Sequence, residues 1–183
     1  MPMPAPPDLD TLSMDDVAAL VAAASPAPVE SWHPTHCGDS EMRIARDGTW
    51  FHQGSPIGRQ AMVRKFASIL RREADGGYVL VNPGEKLDIM VEDAPFVAVR
   101  MKAEGGRIAF QTNLGDLVIA GPDHPLRFAA RDDGPHPYIH VRGGLEALIA
   151  RPVYYELASL ALAGDDTPSG VWSDGAFFAL EPA

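Results

Sequence analysis

Half a chain apart, the sequence follows one local plan twice. A strand-like stretch from Glu41, the Asp47-Gly48 turn, the strand Thr49–Gln53 and the triplet Ile57-Gly58-Arg59 lead into an amphipathic run. Tyr138–Val141, the Gly143-Gly144 turn, Leu145–Ile149 and the triplet Ile149-Ala150-Arg151 lead into another. The two arginines stand 92 residues apart in a chain of 183. After each run come a glycine turn and an aromatic strand, Gly77-Tyr78-Val79-Leu80 and Gly170-Val171-Trp172. Such a repeat restricts the chain to two tandem halves that bury their helix faces against a sheet or against each other.

Between these units the pattern is that of short strands cut by turn pairs, with Gly76-Gly77, Gly105-Gly106, Gly115-Asp116, Gly121-Pro122 and Asp133-Gly134-Pro135 as punctuation. Val97, Val99 and Met101 alternate with Ala98, Arg100 and Lys102, as a half-buried strand requires. Arg107–Thr112, Leu117–Ala120, Leu126–Ala129 and Tyr138–Val141 extend an antiparallel meander. Two helices interrupt it, over 58–72 and 152–163. In the first, Met62, Val63, Phe66, Ile69 and Leu70 share an arc of about 120°, opposite Arg64, Lys65, Arg71 and Arg72. Arg71 and Arg72 then occupy the last turn, where cations suit the helix dipole. The fold class expected is α+β: two tandem similar halves of short antiparallel strands, each with one main helix, preceded by an N-terminal helical arm.

That arm, 1–30, precedes an N-terminal half, 31–95, and a C-terminal half, 96–183. It opens on MPMPAPP, which favours an extended or disordered start over residues 1–7. Ser13 and Asp16 then form a capping box, with Leu12 and Val17 spaced as a hydrophobic staple. The helix should run to Ala24 and stop before Pro26. Its apolar content is mostly alanine, which suits a docked side arm more than a core element.

The chain carries 25 acidic and 15 basic side chains, a net charge of −10. Seven of the acids and none of the cations fall within residues 1–42. This balance excludes nucleic acid and anionic membrane surfaces as partners, since both need a basic face. No apolar run approaches the roughly 18 residues of a transmembrane helix. The first cation is Arg43, so the charged start of a signal peptide is missing. A single cysteine, Cys37, rules out an internal disulfide and suits a reducing compartment. The expected location is cytoplasmic.

Longer strings carry a resemblance. Cys37-Gly38, RIARDGTWFHQGSPIGR at 43–59, VEDAPFVAV at 91–99, TNLGD at 112–116, HPLRF at 124–128, YIHVRGGLEALIARPVYYELASLA at 138–161 and GVWSDGAFF at 170–178 resemble a bacterial family known as domain of unknown function 1285. The likeness spans roughly residues 35–180. Where the family has Thr-Pro-x-Glu-Lys, this chain has Asn82-Pro83-Gly84-Glu85-Lys86, which removes a hydroxyl and keeps Glu85 and Lys86. The resemblance implies a duplicated α+β core whose C-terminal half is pleckstrin-homology-like. It also implies a site between the halves for a small anionic, nucleotide-like ligand, with a role in signalling.

The residues set against that expectation are Arg59, Arg151, Lys86 and Trp172. A cation at a helix start opposes the macrodipole unless an anion answers it, and a guanidinium beside helix N–H groups suits phosphate or carboxylate. Internal salt bridges to Glu85, Glu92 or Asp93 are the competing explanation. Lys86 would assist, and Trp172, or one of the adjacent Phe177 and Phe178, would stack on a base. His33, His36 and Cys37 gather metal-binding and thiol chemistry in one stretch, yet no second ligand pair accompanies them. Glu92-Asp93 reads as a turn before Pro95 more readily than as an acid/base pair. No Walker-type loop or Gly-x-Gly-x-x-Gly is present. The expectation is therefore a non-catalytic binding module with no cofactor and no metal. A protein-interaction domain using an exposed sheet edge is the alternative, and a metal- or thiol-dependent enzyme the third reading.

Overall fold

The structure is a computed structural model that describes residues 4–180. The chain divides into two compact units. Among the described residues, one comprises 4–5, 25–95 and 143–145; the other comprises 6–24, 96–142 and 146–180.

The N-terminal unit is built on β1 (His36–Ile44), β2 (Trp50–His52), β3 (Ser55–Pro56), α2 (Gln60–Ala67), β4 (Leu70–Arg72), β5 (Tyr78–Val81) and β6 (Glu85–Val91). Its sheet order is β3-β2-β1-β6-β5-β4. Each set of three strands pairs antiparallel, and the sets join through a parallel β1–β6 pair with Cys37 opposite Lys86. The sheet is therefore mixed, not an antiparallel meander throughout. Because β3 and β4 form opposite edges, the chain between them must cross the sheet, and α2 buries Val63 and Ala67 in doing so.

The C-terminal unit repeats the arrangement. β7 (Phe96–Glu104), β8 (Arg107–Thr112), β9 (Leu117–Ile119), β10 (Leu126–Arg131), β11 (Gly134–Arg142) and β12 (Leu145–Ile149) form a sheet of order β10-β11-β12-β7-β8-β9, with β7 and β12 parallel. Read from the other edge, this is the strand order of the first sheet. The helix α3 (Arg151–Ala163) follows the sixth strand and buries Val153, Leu157 and Ala161. A hairpin of β13 (Gly170–Ser173) and β14 (Ala176–Ala179) follows it.

The halves thus repeat, but in a different register from the one the Ile-x-Arg triplets suggest. Their first strands begin 60 residues apart, at His36 and Phe96. In the N-terminal unit the helix stands between the third and fourth strands; in the C-terminal unit it comes after the sixth. Arg59 and Arg151 are consequently not equivalent positions. The 92-residue likeness is local, one strand–turn–strand–helix run resembling another.

Two further expectations change. The helix expected over 58–72 spans only Gln60–Ala67. Leu70, Arg71 and Arg72 pair with Leu80, Val79 and Tyr78 as β4, because cross-strand bonding and burial there outweigh helical propensity. Arg71 and Arg72 are therefore strand residues, not last-turn cations. The N-terminal arm is also more than a side arm. α1 (Met14–Ala23) has the expected capping box, with Ser13 Oγ accepting from Asp16 N at 3.1 Å and Asp16 Oδ2 from Ser13 N at 3.2 Å. Leu9, Met14 and Val17 are all but fully buried and form a cluster with Ala109 on β8. Of the Pro-rich start, residues 1–3 lie outside the described residues. Pro7 is tied to the sheet, its carbonyl accepting from Gln111 Nε2 at 2.6 Å. At Gly115, with φ +94°, a Cβ would lie 2.2 Å from Pro6 Cβ, so this turn requires glycine on both counts.

Candidate functional site

The arm's acids are bonded to cations of the sheet beneath it. Arg100 donates to Asp8 at 2.7 Å and Asp10 at 3.0 Å, and Arg107 to Asp15 at 3.1 Å. Lys102 donates to the Leu12 carbonyl. Other arginines are also paired: Arg43 with Glu92 at 2.5 Å, Arg127 with Glu146 at 2.9 Å and Arg142 with Asp116 at 3.2 Å. Asp93, almost wholly buried, faces Arg46 at 3.7 Å.

Against this background Arg59 and Arg151 stand apart. Both are exposed, and among the described residues neither guanidinium has an ion-pair or hydrogen-bond partner. Glu92 and Asp93, suggested as their partners, are taken by Arg43 and Arg46. Arg59 is the cap residue of α2, with extended backbone at φ −86° and ψ 104°, so it precedes the helix and does not enter its apolar arc. Arg151 is the first residue of α3, with Pro152 next. Neither helix start is capped by a side chain. Arg64 and Lys65 follow Arg59 on α2, which carries no acid, and Arg64 Nε is buried without a hydrogen-bond partner.

Lys86 is placed differently. Its ammonium binds Glu73 at 3.1 Å, and Glu73 also accepts from Arg71 at 3.1 Å. Arg71 is 7% exposed in its side chain and donates to the Val29 and Trp32 carbonyls, both at 2.8 Å. The Arg71 hydrogen bond, then that of Lys86, holds the Glu73 carboxyl below its ordinary 4.5, while Glu73 raises Lys86. Three strand spacings, about 14 Å, separate β6 from β3, after which Arg59 emerges. Lys86 thus belongs to an internal ion cluster away from Arg59.

Trp172 lies in the C-terminal unit, far from Arg151. It lines a cleft with Leu160 and Gly164 at the end of α3. Nine residues of helix, a rise of about 13 Å, lie between Arg151 and Leu160. Within each unit, then, the expected site residues are not gathered into one cluster.

His36 and Cys37 are consecutive on β1, so their side chains leave opposite faces and form no dyad. Cys37 Sγ is exposed and lies 3.8 Å from the Thr35 carbonyl. Among the described residues no three His, Cys, Asp or Glu side chains converge as a metal site would require. Glu92 accepts from Arg46 N at 2.9 Å besides binding Arg43, so it fastens the turn before β7. In Thr112–Asp116, Thr112 Oγ1 accepts from Asp116 N at 3.1 Å, and Asn113 Oδ1 from Val97 N at 3.0 Å.

Two further histidines, His124 and His140, face each other. Their Nδ1 atoms stand 3.4 Å apart, and His124 Nδ1 lies 3.2 Å from the His140 carbonyl. Burial, and then His124, pushes His140 below its ordinary 6.5. A base whose folded value is lowered binds its proton first in the unfolded chain. Its stability contribution is therefore complete above 6.5 and lost as pH falls through the folded value. Denaturant midpoints should accordingly fall as pH drops below 6.5, with a shallower slope in His140→Asn. An unchanged slope would mean that His140 does not carry this proton.

Two mixed six-stranded sheets of one strand order, each accompanied by a helix, define a duplicated α+β chain. Two family models cover it: the N-terminal domain of the DUF1285 domain of unknown function over residues 27–94, and the C-terminal domain of the DUF1285 protein of unknown function over 95–180. The chain belongs to the DUF1285 family. It is similar to a crystal structure of a DUF1285 family protein from Silicibacter pomeroyi DSS-3, with 47% identity over 93% of this chain and 97% of that one, at a TM-score of 0.79. A second, from Shewanella baltica OS155, shares 27% identity over 64% of this chain and 90% of its own, at a TM-score of 0.53. No curated protein matches.

Proposed function

We propose that this chain is a non-catalytic binding module for a small anionic, nucleotide-like ligand, with a role in cytoplasmic signalling. One observation carries the reading. Arg59 and Arg151 are exposed guanidiniums at helix starts without side-chain caps, and they lack acidic partners among the described residues of a chain that pairs other arginines with acids. A cation there is unfavourable alone and favourable once an anion joins it and the helix N–H groups. Arg64 and Lys65 add to the positive end at α2. Lys86 is spent on Glu73, and Trp172 stands apart from Arg151, so neither is assigned to the anion. The exposed free Cys37 suits a reducing compartment. No helix among the described residues is long and apolar enough to cross a membrane. Six strands followed by a helix in the C-terminal unit support kinship with pleckstrin-homology domains.

Thermal melting against nucleotides, pyrophosphate and small carboxylates tests this reading. A ligand at 100 times its dissociation constant adds about 2.7 kcal/mol, a shift of several degrees. Arg59→Ala and Arg151→Ala together should abolish the shift and leave the ligand-free melt nearly unchanged, since neither side chain has an ion-pair or hydrogen-bond partner among the described residues. A flat panel would contradict the proposal. A protein partner bound along the outer strand β10 would instead survive both substitutions; that strand pairs only with β11 within its sheet.

A further inference from the structure

The cleft beside Trp172 has its own chemistry. β13 alternates: Val171 and Ser173 are buried, and Trp172 between them points outward. Ser173 Oγ pins the strand to the sheet, donating to the Ala120 carbonyl at 2.6 Å and accepting from Ile108 N at 2.8 Å. Across the hairpin the Phe177 ring supports the indole at 5.2 Å between centroids. Gly170 makes that arrangement possible, since a Cβ there would meet the Phe177 ring at 2.5 Å and the Phe178 carbonyl oxygen at 2.4 Å. Trp172 is thus held rigidly yet remains 56% exposed, beside Leu160, which is 40% exposed.

The cleft, of about 240 Å³, is also lined by Glu104, Arg107 and Asp166. Arg107 is answered by Asp15 at 3.1 Å. Among the described residues Glu104 accepts only a neutral backbone N–H, from Met14 at 2.8 Å. Asp166 has no ion-pair or hydrogen-bond partner among the described residues. The charge left over is negative, next to the face of an indole, and the walls are apolar.

We infer that this cleft receives a lysine or arginine side chain of a partner peptide, with apolar residues on either side of it. The carboxylates of Glu104 and Asp166 would neutralise the cation, Trp172 would take it over its ring, and Leu160 would pack on its stem. A peptide is favoured over a free amine because Leu160 and Trp172 offer apolar contact beyond the cation itself. The inference goes beyond the anion reading and shares no residue with it, so either can fail without the other.

Proton–nitrogen correlation spectra of the full chain, titrated with the capped tripeptide Leu-Arg-Leu, test it. The Trp172 indole and the Gly106 and Gly170 amides should shift and saturate. Capped Leu-Gln-Leu should bind about tenfold more weakly, as expected for the loss of a cation–π contact and an ion pair. In a chain carrying Asp166→Asn and Glu104→Gln, the preference for the arginine peptide should shrink to the part supplied by the indole of Trp172, with the remaining resonances unmoved as evidence of an intact fold. Absence of shifts, or equal binding of both peptides to the unaltered chain, would overturn the inference. Acetyl-arginine-amide binding as tightly as the tripeptide would also overturn it, by making the occupant a small free cation.

Discussion

Replacing Arg71 by alanine is expected to destabilise the N-terminal unit by about 3 kcal/mol, the largest loss from any single arginine. Its side chain is 7% exposed, and it satisfies the Val29 and Trp32 carbonyls and the Glu73 carboxylate together. Truncation leaves those acceptors facing a void, and each buried polar group without a partner costs about 1–3 kcal/mol. Glu73, which is partly exposed and keeps Lys86, recovers some of this loss through water. For a unit of this size the melt should drop by about 12 °C or more. Arg71→Lys retains the charge but cannot span two carbonyls and a carboxylate, so it should fall between the two. Arg100→Ala provides the contrast: its ion pairs with Asp8 and Asp10 are open to solvent and worth about 1 kcal/mol at most. Urea unfolding read by amide exchange in β4 and β5 would measure the difference. Equal losses for Arg71→Ala and Arg100→Ala would show that the buried cluster is not what holds this edge of the sheet.

Leu9→Ala should cost the C-terminal unit about 3 kcal/mol, within the usual range for a fully buried leucine. Leu9 is 0% exposed and packs with Met14, Val17 and Ala109. Two forces could hold the arm: this apolar cluster, and the ion pairs of Asp8, Asp10 and Asp15 with Arg100 and Arg107. Burial of each large side chain contributes about 1.5–3 kcal/mol, whereas each exposed pair contributes under about 1 kcal/mol and is screened by salt. The apolar cluster therefore dominates. Proteolysis of the arm should accelerate sharply in Leu9→Ala and change little when salt is raised. Release of the arm by salt alone would reverse that ranking.

What the sequence disclosed depended on how local the cause was. The capping box of Ser13 and Asp16 and the hairpin turns are legible because their partners lie within a few residues. The parallel pairs β1–β6 and β7–β12 are not, since their strands come from opposite ends of each half and no turn announces them. That is also why the Ile-x-Arg likeness, a local match at 92 residues, obscured the repeat that begins 60 residues apart at His36 and Phe96. The amphipathic arc through Ile69 and Leu70 was an accident of spacing: pairing of Leu70 with Leu80 converts the end of that run into a strand. At the candidate site, Arg59 and Arg151 were legible as cations at helix starts. The commitment of Lys86 to Glu73, and the separation of Trp172 from Arg151, depend on tertiary placement that spacing does not encode. In the arm, alanine content concealed a core role supplied by Leu9, which precedes the helix.

Arg59 and Arg151 have no ion-pair or hydrogen-bond partner among the described residues, and the signals of arginine Nε–H groups report directly on whether an anion joins them. With pyrophosphate added, those of Arg59 and Arg151 should shift and become protected from solvent exchange. Those of Arg43, Arg127 and Arg142, already engaged by carboxylates, should stay in place. If every arginine drifts together, or if Arg59 and Arg151 do not move, neither guanidinium is a ligand site and the binding-module account is wrong.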